Sequence, residues 1–125
     1  MKLLWCISGS FCNHEIVFEQ IEHFVKSGYE IQCVFSNNTY TVENRFSSAK
    51  QRIDRIVKIT GNKIIHTIEE AEKTGPSNQY DACIVAPATA TFISKLNQGI
   101  YDDPTLLSVK SMLRNQKELI LAIAS

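Results

Sequence analysis

An α/β domain, with a parallel sheet layered between helices, is what the sequence predicts, and three observations predict it. Short apolar runs alternate with helix-period segments along the chain, as expected when each strand is followed by a crossover helix. The apolar runs are nearly continuous instead of alternating with polar residues, which is how a strand covered on both faces reads. The chain has 125 residues, 44% of them hydrophobic, enough for one compact domain.

The elements follow in order. Residues 3–7 form an apolar run and the first strand. Val17, Ile21, Phe24 and Val25 recur at helical spacing, so residues 13–26 read as an amphipathic helix, closed by Ser27-Gly28. Glycine there suits a left-handed cap, which a residue with a Cβ adopts only at a cost. Residues 30–35 are the second strand, 36–44 a polar connection and 45–57 a second helix. Thr60-Gly61-Asn62 is a turn, 63–65 a short strand, 67–73 a short polar helix and 75–78 a loop. Residues 81–86 are a strand that is apolar after its first residue. Helices at 89–97 and 104–114 follow, then a last strand at 118–124. Pro104 suits the first turn of its helix, with Asp103 as the cap before it.

Composition excludes several functions. Thirteen basic residues balance thirteen acidic ones, and the lysines and arginines are scattered, so there is no footprint for nucleic acid. No apolar stretch approaches the roughly 20 residues of a membrane span. The apolar start breaks at Ser8-Gly9-Ser10, at strand length, and reads as the first strand of a cytoplasmic protein. Cys6, Cys12, Cys33 and Cys83 form no C-x-x-C, and the pattern is that of free thiols, with Cys12 set apart in the turn after Gly9-Ser10. The three histidines form no constellation, and no metal site is expected.

Four segments could carry chemistry. Ser8-Gly9-Ser10, between a strand and a helix, could hold an anion on free backbone N–H groups, or could simply cap the helix. Ser36-Asn37-Asn38-Thr39, just past the second strand, either lines the same crevice or is a solvated loop. Pro87-Ala88-Thr89-Ala90-Thr91 follows a buried strand with small residues that admit a flat ligand, although Thr89 also reads as a helix cap. Asp102-Asp103 suits a tertiary contact at Asp102 and a cap at Asp103 better than a metal.

The last two segments carry a resemblance. A strand ending in Ala86-Pro87, a small-residue turn, Ser94-Lys95-Leu96 and then Asp102 resembles the flavoprotein family that includes the FMN-dependent cysteine decarboxylases. Within the family, Gly9-Ser10, Cys12, Arg45-Phe46, Gly75-Pro76, Asp103-Pro104, Lys110 and Arg114-Asn115 are most similar to the B subunits of dipicolinate synthases. The resemblance implies a Rossmann- or flavodoxin-like three-layer sandwich over a single domain, 1–125, and FMN as cofactor. It also implies a homo-oligomer, the A subunit of dipicolinate synthase as partner, and oxidation of a small dihydrodipicolinate-type molecule in sporulation. Carried over by position, Gly9 and Ser10 would hold the FMN phosphate, Ser36 and Asn38 the phosphate or ribityl chain, and Pro87, Ala88, Thr89 and Thr91 the ring system. Lys95 would face either the flavin or Asp102.

The sequence departs from the family in having Thr91 and Phe92 where relatives carry Asn and Thr, and the resemblance implies a C-terminal segment beyond Ser125. No catalytic residue is assigned. A non-catalytic binding or assembly protein that keeps the fold but has lost tight flavin binding, and a cysteine decarboxylase, are the competing readings, the latter requiring a histidine for which His66 is in the right region.

Overall fold

The computed structural model describes residues 1–124. Strands β1 (Lys2–Ile7), β2 (Glu30–Phe35), β3 (Ala82–Ala88) and β4 (Glu118–Ile123) form one sheet in the order β2-β1-β3-β4, and every neighbouring pair is parallel. The helices are α1 (His14–Lys26), α2 (Asn37–Thr41), α3 (Ala49–Thr60), α4 (Ile68–Glu72), α5 (Ala90–Gln98) and α6 (Pro104–Arg114). Among the described residues no helix is long and apolar enough to cross a membrane.

The continuous apolar runs are explained by two cores, one on each face of the sheet. Leu3, Trp5, Ile7, Ile31, Cys33 and Phe35 point to one side, where Phe18 and Ile21 of α1 and Ile56 of α3 cover them. Leu4, Cys6, Val34, Cys83 and Val85 point to the other, under Phe92 of α5 and Leu106, Val109 and Met112 of α6. Successive side chains of one strand therefore enter different cores, and each must be apolar. Trp5 satisfies its indole N–H on Ala86 O at 3.1 Å. Cys6, Cys33 and Cys83 are buried free thiols and Cys12 is exposed. Burial pushes the Cys33 thiol well up, so it packs as a neutral group.

The expected boundaries shift in places for identifiable reasons. The connection at 36–44 contains helix α2, because Ser36 accepts a bond from Thr39 N and starts a helical turn. Helix α3 begins at Ala49 instead of residue 45, since Ser48 and Gln51 form a capping box there and Asn44 turns the chain by accepting from Phe46 N and Ser47 N. The short strand at 63–65 reduces to a single bridge between Val34 and Ile65. Strand β3 runs through a cis Ala86–Pro87 bond to Ala88, where the carbonyl accepts from Ala124 N.

After α4 the chain turns back against α6. Gly75 is pressed onto that helix and donates its N–H to Ser111 Oγ at 2.8 Å. Strand β4 lies at the sheet edge. Leu119 and Leu121 turn into the second core, while Ile120 and Ile123 are 52% and 73% exposed.

Candidate functional site

The chain leaves β1 for β2 on one side of the sheet and returns to β3 on the other. The carboxyl ends of β1 and β3 thus flank the point where strand order reverses, where open α/β sheets form their ligand crevices. A cleft of about 380 Å³ opens there. Its walls are the turn after β1, with Ser8 and Gly9, and the start of α2, with Ser36, Asn37 and Asn38. Opposite stand Thr89, Thr91 and Phe92 of the β3–α5 turn, and Lys95, Asp102, Asp103, Thr105 and Leu106 complete the rim.

Hydrogen bonding separates groups that hold the cleft from groups that can meet a ligand. Ser8 donates to Pro87 O at 2.5 Å and accepts from Thr89 N, tying the ends of β1 and β3 together. The Thr39 hydroxyl donates to Ile7 O, so the Ser36 hydroxyl, 2.8 Å from it, is the donor between them and has no proton left to offer. Thr89 caps α5 by accepting from Phe92 N. Asp103 accepts from Asn37 N at 2.8 Å through one oxygen and from Thr105 N and Oγ1 through the other, which joins α2 to α6 across the cleft. Lys95 Nζ lies 2.9 and 3.1 Å from the two Asp102 oxygens. The Asn37 and Asn38 carboxamides and the Thr91 hydroxyl are the uncommitted neutral groups, and they suit a ligand rich in hydroxyls and amide edges.

Of the residues expected from sequence, Gly9, Ser36, Asn38, Thr89 and Thr91 come together in this cleft. Pro87 and Ala88 are buried below it. Ser10 stands outside the lining and accepts from Asn13 Nδ2 at 2.7 Å. Helix α1 starts at His14, within one residue of the expected 13, and the stretch joining it to Gly9-Ser10 is a 3-10 turn, Phe11–Asn13, in which Phe11 N and Asn13 N bond back to Gly9 O and Ser10 O. Those two donors are thereby withdrawn from any anion. Phe92, 4% exposed, belongs mainly to the second core. Thr105 and Leu106 join the lining without any sequence signal, since a threonine and a leucine in a helix suggest nothing beyond packing. Asp103→Ala removes a cap and the α2–α6 link, and should lower stability by about 1–2 kcal/mol, read from the urea midpoint.

Behind the β1 turn, His14 is 4% exposed and places Nε2 2.8 Å from Ser8 O, with its ring stacked on Phe18. Burial lowers its pKa, opposed by the bond to Ser8 and assisted by the nearby Arg52 charge. A base whose folded pKa is lowered takes its proton more readily when unfolded. The stability it provides is present above the ordinary value of 6.5 and is lost as pH falls from there toward the folded value. The urea midpoint should therefore fall between about pH 7.5 and about pH 5.5, above the carboxylate range. A flat midpoint over that interval, or the same fall in His14→Phe, would contradict this account.

Arg52, 1% exposed, organises the outer wall. It donates to Thr39 O at 2.9 Å, to Ser47 O and Oγ at 3.0 and 2.9 Å, and to Val42 O, and its guanidinium lies 4.8 Å from the Phe11 ring centroid. One side chain thus holds both α2 and the turn that follows β1.

The same fold occurs in proteins of known kind. The sequence matches the Flavoprotein family over residues 1–125. The B subunit of dipicolinate synthase from Bacillus subtilis is 34% identical over 119 residues, 95% of this chain and 60% of that protein. The crystal structure of the corresponding B subunit from Bacillus halodurans C superposes with a TM-score of 0.84 at 28% identity, covering 98% of this chain and 63% of that one. An FMN-dependent cysteine decarboxylase from thioviridamide biosynthesis shares the fold, with a TM-score of 0.77 at 20% identity over 100% of this chain and 74% of that one. The chain spans about three fifths of the B subunits it matches. It belongs to the Flavoprotein family.

Proposed function

We propose that the cleft at the β1–β3 switch point binds FMN, and that the protein is a flavoprotein of the dipicolinate synthase B type. The observation that supports this most directly is the uncommitted set of Asn37, Asn38 and Thr91 in a cleft of about 380 Å³ at that point of the sheet. Its volume lies within the range of small-molecule sites. Asn37, Asn38 and Thr91 would bond the cofactor, Gly9, Ser36 and Thr89 would form the wall it lies against, and Pro87 and Ala88 would support it from below. Bound FMN would supply two-electron redox chemistry. The reaction would be oxidation of a dihydrodipicolinate-type molecule, carried out in a homo-oligomer and together with the synthase's A subunit.

Titration of the purified protein with FMN, followed by flavin fluorescence, tests the reading. Saturable binding is expected, and Asn38→Ala should weaken it by about tenfold, the worth of one hydrogen bond in a desolvated site. A protein that leaves flavin fluorescence unchanged at millimolar FMN rules the reading out. The second reading, a non-catalytic binding or assembly protein, is favoured by Thr91 and Phe92. The Thr91 hydroxyl replaces a carboxamide, and Phe92 contributes its volume to the core. A purified protein that binds FMN only weakly and carries none through purification would select it. For a decarboxylase, His66 stacks on Tyr40 at 3.8 Å, and none of the three histidines lines the cleft.

A further inference from the structure

We propose that His14 is a proton latch on the turn after β1: neutral, it holds one wall of the cleft, and protonated, it lets that wall go. The turn carries Ser8 and Gly9, which line the cleft. His14 sits behind it, 4% exposed, with its ring stacked on Phe18 and tilted against Phe11 at 5.0 Å. Its Nε2 lies 2.8 Å from Ser8 O. A carbonyl can only accept, so the neutral ring keeps its proton on Nε2 and leaves Nδ1 a bare acceptor. That Nδ1 is buried and has no hydrogen-bond partner among the described residues.

A second proton would have to go on Nδ1, and three features oppose it there. Nothing is placed to accept it: of Cys12, Glu15, Arg52 and Arg55, the titratable and charged side chains lining the hollow around the ring, only Glu15 is a carboxylate. Both Glu15 oxygens are already held by Arg55. Arg52 brings a like charge from α3, with Glu43 near it on the 42–48 turn. His14 is also the first residue of α1, where the helix dipole disfavours a cation. A released imidazole, by contrast, takes its proton at the ordinary value of 6.5. Acid therefore draws the ring out of its slot, which strips the donor from Ser8 O and the ring partner from Phe11. The Ser8 hydroxyl stays tied to Pro87 O, so the release is confined to the turn and the first residues of α1. The latch belongs to the ligand-free protein, and its control of flavin affinity rests on the flavin reading above.

Native-state hydrogen exchange on ligand-free wild type, His14→Gln and His14→Phe tests the latch. Glutamine keeps a donor for Ser8 O, phenylalanine keeps a ring between Phe11 and Phe18, and neither titrates. The Phe11 and Asn13 amides bond back to Gly9 O and Ser10 O and report on the turn. Corrected for the intrinsic pH dependence of exchange, their protection in wild type should fall about five- to tenfold from about pH 7.5 to about pH 5.5. Leu4 and Val85 keep theirs, and both variants stay flat. Over the same interval the FMN dissociation constant should rise more in wild type than in either variant, a comparison in which titration of the FMN phosphate cancels. A wild-type change below about twofold overturns the proposal, as does an equal loss in both variants. So does a matching loss at Leu4 and Val85, which would make the event global unfolding. The same pH dependence of FMN affinity in all three proteins overturns the latch's control of the cleft. Absence of FMN binding overturns the flavin reading alone, and exchange then decides the latch.

Discussion

Arg52→Met should lower the stability of the protein by about 3 kcal/mol, bringing the melting temperature down by roughly 10 °C. The guanidinium is 1% exposed and donates to oxygens of Thr39, Val42 and Ser47. Methionine fills most of the volume but donates nothing, so three backbone carbonyls lose a charged donor in a place water reaches poorly. Bonds to a charged group are worth more than neutral ones, and orphaned acceptors carry the full desolvation cost. Part of the loss is returned because a buried charge no longer needs to be desolvated, which is why the figure stays well below the sum of the bonds. Arg52→Lys keeps the charge, but a single ammonium cannot reach a fan of acceptors spread around a planar fork, and it should recover less than half of the loss. The measurement is a urea or thermal transition on the three proteins. A loss for Arg52→Met below about 1 kcal/mol would show that the carbonyls find water or one another instead. Since Arg52 also lies against Phe11, the same variant should weaken flavin binding beyond what its stability loss accounts for.

Gly75→Ala should be comparably damaging although it adds one methyl group. A Cβ at this position would stand 2.1 Å from Ser111 O and 2.5 Å from both Ser111 Oγ and Asn115 Nδ2. The nearest of these is helix backbone, which cannot rotate away. Either the 75–78 loop lifts off α6, losing the Gly75 N to Ser111 Oγ bond, or α6 shifts and disturbs Leu106, Val109 and Met112 in the core beneath it. Overpacking of this kind costs about 3 kcal/mol when backbone must move. Gly61→Ala is the useful contrast. Its added Cβ meets nothing within 4 Å, so its penalty, about 1 kcal/mol, comes from the left-handed φ of 73° alone. If Gly75→Ala melts no lower than Gly61→Ala, the close approach of loop to helix is not tight in solution.

Neither Arg52 nor Gly75 announces its role in the sequence, whereas the strands do. β1 and β3 each enter two cores, so their apolar runs are unbroken, and β2 and α6 have the bounds their patterns suggest. Caps were legible as well. Thr89 and Asp103 stand at helix starts with side-chain oxygens on the expected backbone N–H groups. The family pattern left Lys95 facing either the flavin or Asp102, and its Nζ lies 3.1 and 2.9 Å from the two Asp102 oxygens. Arg52 was illegible, since an arginine in a polar helix reads as solvated, and only the tertiary turn at 42–48 wraps carbonyls around it. Helix α2 was hidden for a related reason: five residues with no apolar period form a helix because Ser36 and Thr39 interlock over Ile7 O. The cleft was half legible. Its loops could be found from the ends of strands, but which hydroxyls were already committed depended on partners from other elements.

The uncovered edge of the sheet has a consequence for how the molecule opens. Strands β1 and β3 are held on both sides and buried on both faces, whereas among the described residues β4 is paired only to β3 and presents Ile120 and Ile123 to water. The free energy needed to detach an element scales with the contacts it surrenders, so β4 is the strand that leaves first. In native-state hydrogen exchange its amides should trade deuterium through a partial opening, at protection factors well below those of Leu4 and Val85. Peeling β4 back would uncover Leu119 and Leu121 and leave Ala88 O without its partner on Ala124, at the end of the strand that supports the cleft. Breathing at the periphery is thus wired to the floor of the site, and protection of the β4 amides by flavin, with no contact between the two, would be its signature.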